Sequence, residues 1–354
     1  MAPRFHELTL ADVRSETIDS VALSFEISED MKDNYAFTPG QYLTLRAEIN
    51  GEDVRRSYSI CSPVGSETLD VGVKWIEGGR FSDHAQRLKP GDKVQVMTPQ
   101  GRFTAPIGGA HDYLLLAAGS GVTPMISIAT SVLEGEPDST VTMCYANRTT
   151  DRVMFREALD DLKDRYMTRF RLTHVMDEEA QDVELFNGRL DAEKLETLAT
   201  RGLIHPPSYH AIYICGPQPM IEAASEAMKA LGADEGKLKF ELFTPSGAPP
   251  VASSRTIAKD AVGAQVEVIV DGASRKFEMA PGTMLVDAAT RSGLEIPYSC
   301  ANGMCATCRC KLTKGEAEML QNFSLEPWET DAGFVLACQV QPKSAAITLD
   351  FDAV

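Results

Sequence analysis

The stretch PYSCANGMCATCRCKL, residues 297–312, contains four of the eight cysteines of this 354-residue chain. Three of them follow the spacing Cys300-x4-Cys305-x2-Cys308, and Cys338 comes after 29 intervening residues. The remaining cysteines are Cys61, Cys144, Cys215 and Cys310. Disulfides are rare in a reducing cytoplasm, so a cluster of cysteines in a cytoplasmic chain indicates a bound metal rather than covalent cross-links. The stretch therefore predicts a C-terminal region folded around a metal site.

Three closely spaced thiolates followed by a distant fourth form the plant-type [2Fe–2S] ligand spacing, with Cys300, Cys305, Cys308 and Cys338 as the four ligands. Gly303 lies inside this loop, where backbone amides must turn toward the sulfurs. A structural zinc site is the alternative, but zinc frameworks usually pair two short C-x2-C units. We interpret Cys310 as a packed residue. With LACQ at 336–339, the stretch resembles a plant-type ferredoxin domain, which implies an α+β (β-grasp) domain over 263–354.

The residues upstream of this region alternate between strand and helix patterns. YLLLAA, residues 113–118, is a continuous apolar run of the kind that is buried in a parallel sheet. The predicted strands are 113–118, 141–147, 170–176 and 211–216, and the predicted helices are 154–166 and 220–232. This alternation predicts a doubly wound α/β domain over 109–243. Residues 244–262 are rich in Pro, Ala and Ser and are predicted to be a linker.

The first hundred residues alternate apolar and polar side chains at period two. The predicted strands are 21–27, 41–49, 56–60 and 69–76, separated by Pro39-Gly40, Asn50-Gly51, Gly78-Gly79 and Pro90-Gly91 turns. Residues 81–88 are the one predicted helix of this part. The pattern predicts an antiparallel β-barrel domain over 1–108.

Two motifs of the predicted barrel point to a flavin. R-x-Y-S at 56–59 lies on a strand, and GGRFS at 78–82 ends a strand and opens a helix whose amides favour phosphate. The ordinary alternatives are a surface strand and a glycine turn with Ser82 capping the helix. In this order, the motifs resemble the flavin-binding elements of the ferredoxin–NADP reductase superfamily. The candidate flavin-binding residues are Arg56, Ser57, Tyr58, Ser59, Lys74, Gly79, Phe81 and Ser82.

The superfamily resemblance assigns tasks to three residues of the first motif. It implies that the Arg56 guanidinium contacts a flavin phosphate, a pairing that suits its planar fork of donors. It implies that the Tyr58 ring lies against the isoalloxazine. It places the Ser59 hydroxyl near flavin N5, where hydride arrives.

Two further motifs follow predicted strands of the α/β part and precede helices. GSGVTP at 119–124 suits a pyrophosphate at a helix N-terminus, although it is not G-x-G-x-x-G. CGPQPM at 215–220 and ELF at 241–243 resemble the superfamily's C-G-x-x-x-M and terminal E-x-aromatic patterns. These imply that Cys215 lies near the hydride path and that Phe243 covers the flavin; a buried cysteine and a core phenylalanine are the ordinary alternatives. The candidate nicotinamide-site residues are Gly119, Ser120, Gly121, Thr123, Pro124, Arg148, Cys215, Gly216, Met220 and Phe243, and the candidate catalytic residues are Ser59, Cys215 and Glu241.

The choice between the two nicotinamide cofactors depends on charge near the ribose. A 2′-phosphate favours Arg or Lys, and a free 2′-hydroxyl favours Asp or Glu. Arg148 supplies a cation after the second strand, whereas Asp177, Glu178 and Glu179 follow the third strand, where many NADP-using relatives carry Ser-Arg. Because the resembling family leans to NADPH, we favour NADPH over NADH.

The domain order, together with segments such as SLEPWE at 324–329, resembles the reductase subunits of phenylacetyl-CoA epoxidase. The resemblance implies FAD, and electrons passing from NAD(P)H through FAD and the [2Fe–2S] cluster to a di-iron oxygenase. The alternatives are an FMN- and NADH-dependent reductase of a Rieske-type ring-hydroxylating oxygenase, or a non-catalytic redox-sensing or binding protein.

The charge composition excludes some partners. With 51 Asp and Glu against 34 Lys and Arg, the net charge of −17 argues against nucleic acid and membrane partners. Residues 263–354 contain 12 acidic and 7 basic residues, so most of the acidic excess lies outside the predicted ferredoxin domain. This distribution weakens the hypothesis of a single acidic docking face and favours a general role of the charge in solubility. The apolar stretch 113–129 is short and interrupted for a membrane span. We expect a cytoplasmic protein and take a monomer as the default state.

Overall fold

The computed structural model describes residues 4–243 and 263–353, and the predicted linker 244–262 lies outside these ranges. The described residues divide into two compact units. One comprises 263–353 with 4–6 and 55–57, and the other comprises 7–54 and 58–243. The domain boundaries drawn from the sequence stay predictions.

The N-terminal part forms an antiparallel barrel, as predicted. Its elements are β1 Phe5–Thr17, β2 Ser20–Glu26, β3 Tyr42–Ile49, β4 Glu52–Ser59, β5 Thr68–Lys74, β6 Lys93–Met97 and helix α1 Arg80–Ala85. The strand order is β4-β3-β6-β1-β2-β5, and an antiparallel bridge between Ile60 and Val71 joins its two ends. Strands β1 and β6 were missed, because β1 is largely polar beyond Leu10 and β6 is short.

The middle part is a doubly wound α/β sheet, which also confirms the prediction. It contains β7 Asp112–Ala118, α2 Val122–Gly135, β8 Thr140–Asn147, α3 Arg156–Arg165, β9 Phe170–Met176, α4 Ala192–Thr200, β10 Ala211–Gly216, α5 Gln218–Ala230 and β11 Leu238–Leu242. The strands are parallel in the order β11-β10-β7-β8-β9. Alternate residues of β7 enter two cores, Leu115 on the side of α2 and α3 and Leu114 on the side of α4 and α5.

The C-terminal part is a mixed α+β fold. It contains β12 Ala264–Val270, β13 Ala273–Met279, α6 Leu285–Arg291, β14 Arg309–Lys314, β15 Ala317–Met319, α7 Pro327–Asp331, β16 Phe334–Leu336, β17 Val340–Pro342 and β18 Ala346–Asp350. The strand order is β13-β12-β18-β14-β16, with β15 paired to β17. A hairpin at Asp271-Gly272 joins β12 to β13, and φ is 52° and 73° at these residues, as a type I′ turn requires.

The stretch 113–129 forms β7 and the first half of α2. In the ranges 4–243 and 263–353, none of the helices combines the length and apolar character needed to cross a membrane. The carboxyl ends of the parallel strands lie at one edge of the α/β sheet, where doubly wound folds bind nucleotides. We call this edge, with residues 118–121, 147–150, 176–179, 215–216 and 241–243, the nucleotide edge.

Candidate functional site

The three candidate catalytic residues converge at the nucleotide edge. Cys215 on β10 lies opposite Glu241 on β11 in the parallel register. Ser59, at the end of barrel strand β4, donates a hydrogen bond from Oγ to Glu241 Oε2 at 3.1 Å. These side chains come from positions up to 182 residues apart, so the fold rather than local sequence creates the group.

The Cys215 thiol is held in its neutral form. Its residue is fully buried, and burial raises the pKa of the thiol well above its usual value. The neighbouring Glu241 carboxylate raises it further, because a second negative charge beside it is unfavourable. A protonated thiol can pack against a nicotinamide ring without acting as a nucleophile.

The Gly119–Gly121 turn between β7 and α2 is rigidly positioned. Gly119 has a φ of 53°, and its carbonyl accepts a hydrogen bond from Tyr145 Oη at 3.0 Å. Thr123 Oγ1 donates to the Ser120 carbonyl at 3.0 Å, so this hydroxyl fixes the turn. A Cβ at Gly121 would lie 2.1 Å from the Cys215 carbonyl oxygen. Gly121 is therefore required for close packing of the turn on β10.

The second nucleotide-edge motif also depends on packing. A Cβ at Gly216 would lie 2.9 Å from Met220 Cε and 3.1 Å from Ala118 Cβ, so glycine lets the methionine side chain cover the end of β10. Phe243 is half-buried and packs against the core shared by α2 and α3. Tyr145 was missed by the sequence reasoning, and its only signal was an aromatic residue within an apolar strand.

The two flavin motifs meet through aromatic contact. The Tyr58 ring centroid lies 5.6 Å from that of Phe81, with the rings tilted by 42°. Ser82 is buried, and its Oγ accepts from the Ile76 amide at 3.1 Å and donates to the Gly79 carbonyl at 3.0 Å. The Ser82 hydroxyl therefore fixes the turn before α1 from within the helix, and it does not cap the helix, because the N-cap residue is Gly79. The remaining motif residues, Arg56 and Ser57, lie on β4.

Lys74 extends from the barrel toward the nucleotide edge. Its Nζ lies 3.9 Å from the position that a Cβ at Gly119 would take, and 3.8 Å from Asp19 Oδ2. Burial lowers the pKa of Lys74, and the positive charges of Arg152 and Arg148 lower it further, against the opposing effect of Asp19. Lys74 thus places one cation beside the glycine turn, an arrangement that suits a pyrophosphate.

The residues after β8 and β9 form two ion pairs. Arg148 Nε lies 3.6 Å from Glu178 Oε1, and both side chains are exposed. Arg189 Nε donates to Asp177 Oδ2 at 3.0 Å. Glu179 accepts from the Thr150 amide and hydroxyl, each at 2.6 Å, and these hydrogen bonds lower the pKa of its carboxyl. The exposed Arg148 and Arg189 guanidinium groups are thus the cations that pair with the acidic run.

The four predicted cluster ligands are grouped in two pairs. Side-chain hydrogen bonds join Cys300 to Cys305 and Cys308 to Cys338. Across the described ranges, no three His, Cys, Asp or Glu side chains converge as ligands of one metal ion. Four thiols in two pairs fit two irons with two thiolates each.

The loop around these thiols directs donors at sulfur. Amide groups of Asn302 and Cys338 donate to Cys300 Sγ at 3.3 Å and Cys308 Sγ at 3.5 Å. Cys305 accepts from the Cys300 amide at 3.5 Å, and Thr307 Oγ1 lies 3.1 Å from its sulfur. Hydrogen bonds from Cys300 and Thr307 lower the pKa of Cys305 to about 6. Donors aimed at thiolates are what an iron–sulfur cluster needs, so the residues fit the group.

Loop conformation and the fifth cysteine agree with the sequence interpretation. Ala301, Gly303 and Ala306 have positive φ, and a Cβ at Gly303 would lie 2.9 Å from the Gln321 carbonyl oxygen. Cys310 is fully buried on β14, in the core of the C-terminal part, and burial raises the pKa of its thiol. Its side chain therefore contributes to the hydrophobic core and is not among the predicted cluster ligands.

Three family models match consecutive parts of the chain. They are the Oxidoreductase FAD-binding domain over 7–105, the Oxidoreductase NAD-binding domain over 115–226 and the 2Fe-2S iron-sulfur cluster binding domain over 268–343. Fold and site thus define an NAD(P)H-dependent oxidoreductase that uses FAD, a pyridine nucleotide and a [2Fe–2S] cluster.

Relatives that match nearly the whole chain show to which group of oxidoreductases it belongs. The chain is 42% identical to a subunit of 1,2-phenylacetyl-CoA epoxidase from Escherichia coli, over 99% of this chain and 98% of the relative. It is 33% identical to the 3-ketosteroid-9-alpha-monooxygenase ferredoxin reductase component of Rhodococcus rhodochrous, over 97% and 96%. Phthalate dioxygenase reductase shares the fold, with a TM-score of 0.59, 22% identity and 98% coverage of both chains. The chain belongs to the family of flavin and iron–sulfur reductase components that includes this phenylacetyl-CoA epoxidase subunit, and it passes electrons to an oxygenase.

Proposed function

We propose that the chain carries electrons from NADPH to a di-iron oxygenase of the phenylacetyl-CoA epoxidase type. The observation that carries this proposal is the 42% identity to the Escherichia coli epoxidase component, which extends over nearly the whole of both chains. Nucleotide, flavin and cluster residues therefore all fall within the matched length. The working protein is proposed to be a cytoplasmic monomer, since free cysteines such as Cys61 and Cys144 suit a reducing compartment.

The proposed chemistry divides between the cofactors and the chain. When bound, NADPH supplies a hydride, FAD accepts its two electrons, and the cluster transfers electrons singly. Ser59 is proposed to orient the flavin N5 edge, with its hydroxyl held by Glu241. The buried, protonated Cys215 is proposed to shape the nicotinamide side of the same site and to exclude water.

NADPH is the proposed electron donor because of the cations at the nucleotide edge. Lys74 approaches the Gly119 turn, the positive charges of Arg148 and Arg152 act on Lys74, and the Arg148 side chain is 68% exposed and able to reach a 2′-phosphate. Arg148→Ala should lower kcat/KM for NADPH about tenfold and leave that for NADH within about twofold. Arg156→Ala is the matched control, because Arg156 is an exposed arginine on α3. Equal losses with both cofactors would contradict this proposal.

The acceptor is tested by reconstitution. The purified chain, NADPH and the oxygenase component of phenylacetyl-CoA epoxidase are combined with phenylacetyl-CoA, and epoxide formation is measured. We expect turnover that depends on all components. Failure to reduce this oxygenase, with rapid reduction of a Rieske-type oxygenase in the same assay, would contradict the proposed acceptor.

A further inference from the structure

The segment 321–332, which ends with α7, presents two large aromatic side chains to solvent. Phe323 is 43% exposed and Trp328 is 62% exposed. Single exposed apolar residues are ordinary, but two aromatic residues within one short segment mark a candidate interaction surface. We call residues 321–332 the α7 segment.

The α7 segment is attached to the cluster loop at its first half. The Phe323 amide donates to the Gly303 carbonyl at 3.0 Å, and Ser324 Oγ donates to the same oxygen at 3.2 Å. Asn322 Oδ1 accepts from the Leu325 amide at 2.8 Å, which fixes the turn before the helix. A partner that contacts Phe323 therefore contacts a residue bonded directly to the loop that holds the cluster ligands.

A second attachment involves Glu329 of the short helix α7. Glu329 is fully buried and accepts from Arg309 Nε at 2.8 Å. Arg309 directly follows Cys308, and its guanidinium lies 3.5 Å from the centroid of the Phe334 ring. Glu329 also accepts from the Glu326 amide at 2.9 Å, which completes a capping box. Because the buried carboxylate fixes the helix, Trp328 is presented in a defined orientation.

The charged residues of the chain segment that contains these aromatic residues are all acidic. Residues 315–331 contain Glu316, Glu318, Glu326, Glu329 and Asp331, and no Lys or Arg. Lys343 pairs with Glu318 and Arg309 pairs with Glu329. Glu326 and Asp331 are exposed, and neither has an ion pair with another described residue. The aromatic pair is thus bordered by negative charge that a basic partner would complement.

We propose that the α7 segment is the surface on which the electron-accepting oxygenase docks. Trp328 enters an apolar pocket of the oxygenase, and Glu326 and Asp331 pair with Lys or Arg side chains around that pocket. This inference rests on the proposed function. In each encounter one electron leaves the reduced cluster and one electron enters the oxygenase, with NADPH as the source of electrons. Tryptophan anchors within a polar rim are the usual centres of binding energy at interfaces.

The test uses the full-length holoprotein, NADPH and varied concentrations of the epoxidase oxygenase component. Trp328→Ala should raise the KM for the oxygenase about tenfold or more. The rate of ferricyanide reduction and the rate of cluster bleaching by NADPH should stay within about twofold, since Trp328 is exposed and is not among the residues proposed to hold the nucleotide or the cluster. Trp328→Phe should recover most of the affinity, because a phenyl ring fills much of the same pocket.

A matched pair of charge reversals tests the rim. Glu326→Lys should raise the KM for the oxygenase about threefold at low salt, and the difference should shrink as ionic strength rises. Glu278→Lys makes the same change of charge on β13, at the opposite edge of the sheet from β16, against which α7 packs. This control should leave the KM unchanged. Equal effects of the two reversals would overturn the assignment of the acidic rim.

Other outcomes also decide the assignment. An unchanged KM in Trp328→Ala would overturn it. Slower cluster bleaching in that variant would mean that the α7 segment binds the chain's own flavin-containing part instead of the oxygenase. A wild-type dimer that Trp328→Ala dissociates in sedimentation would mean that the segment binds a second copy of the chain. If the wild-type chain does not reduce the oxygenase, the proposed function fails. The α7 segment is then tested with cytochrome c, a basic protein that accepts one electron. Trp328→Ala must raise the KM for cytochrome c about tenfold for the assignment of the surface to stand.

Discussion

The cluster loop and the nucleotide edge bring together reactive side chains in opposite ways. Three of the four cluster cysteines come from the nine residues 300–308, and backbone amides of the same loop bind their sulfurs. At the nucleotide edge, Ser59 and Glu241 are 182 residues apart in the chain and meet through barrel and sheet topology. A site built from residues that are close in the chain can be recognised from their spacing. A site built from distant residues can be recognised only once the fold is known. Mutations should therefore act locally in the first region and cooperatively in the second.

The largest expected effect is loss of the cluster. Cys305→Ser should abolish reduction of a protein acceptor, because one of four thiolate ligands is lost. Bleaching of FAD absorbance by NADPH should persist. Cys310→Ala is the matched control, since Cys310 lies in the core, and it should keep the iron–sulfur absorbance. Complete loss of FAD from Cys305→Ser would contradict the conclusion that mutations in the cluster loop act only locally.

The next effect concerns the Ser59–Glu241 hydrogen bond. Glu241→Gln should slow flavin reduction by NADPH about tenfold or more, since an amide oxygen accepts from Ser59 less strongly than a carboxylate does. Stopped-flow absorbance at the flavin band measures this rate. The control is Glu222→Gln on α5, which should leave the rate unchanged. A rate like that of the wild type in Glu241→Gln would remove Glu241 from the site.

The pH dependence of flavin reduction tests the state of Cys215. Its pKa is raised by burial, so the thiol stays protonated as pH rises through the range in which a free cysteine ionises. The rate constant should therefore show no transition from this group between about pH 7 and pH 9. Cys215→Ser should lower the rate and give the same flat profile. A transition present in the wild-type protein and absent from Cys215→Ser would show that the thiol titrates.

The ion pair beneath α7 should give a smaller effect that is confined to the C-terminal part. Glu329→Gln leaves Arg309 without its carboxylate partner and should lower the stability of this part by about 2 kcal/mol. The urea midpoint for loss of cluster absorbance measures this change. Glu318→Gln removes an exposed pair with Lys343 and should leave the midpoint nearly unchanged. Equal midpoints for both variants would contradict the local role of Glu329.

The smallest expected change is in cofactor preference. Asp177 pairs with Arg189 at the nucleotide edge. Asp177→Arg should raise the ratio of kcat/KM for NADPH to that for NADH by several-fold, because it replaces a negative charge with a positive one near the ribose. An unchanged ratio would mean that Asp177 is remote from the ribose. The effect is small because Arg148 already supplies a cation nearby.

The same contrast explains what the sequence predicted. Cysteine spacing predicted the cluster ligands. Period-two and strand–helix patterns predicted the barrel and the α/β sheet, which the structure confirms. Strand β11 was missed because Leu238–Leu242 is short and half-exposed. Tyr145 was missed, and the contacts of Lys74 and Gly121, both candidates from the sequence, required the fold, since each contact joins distant segments. Exposure of Trp328 and burial of Glu329, two neighbours in one motif, also required the fold.

One measurement tests the central claim most directly. The purified, coloured holoprotein is mixed anaerobically with NADPH, frozen at successive times, and examined by visible absorbance and electron paramagnetic resonance. In the wild-type protein, flavin absorbance should bleach first and the signal of a reduced [2Fe–2S] cluster should then appear. In Cys305→Ser, only the flavin change should occur. A colourless protein containing stoichiometric zinc, or a cluster signal retained in Cys305→Ser, would contradict this claim.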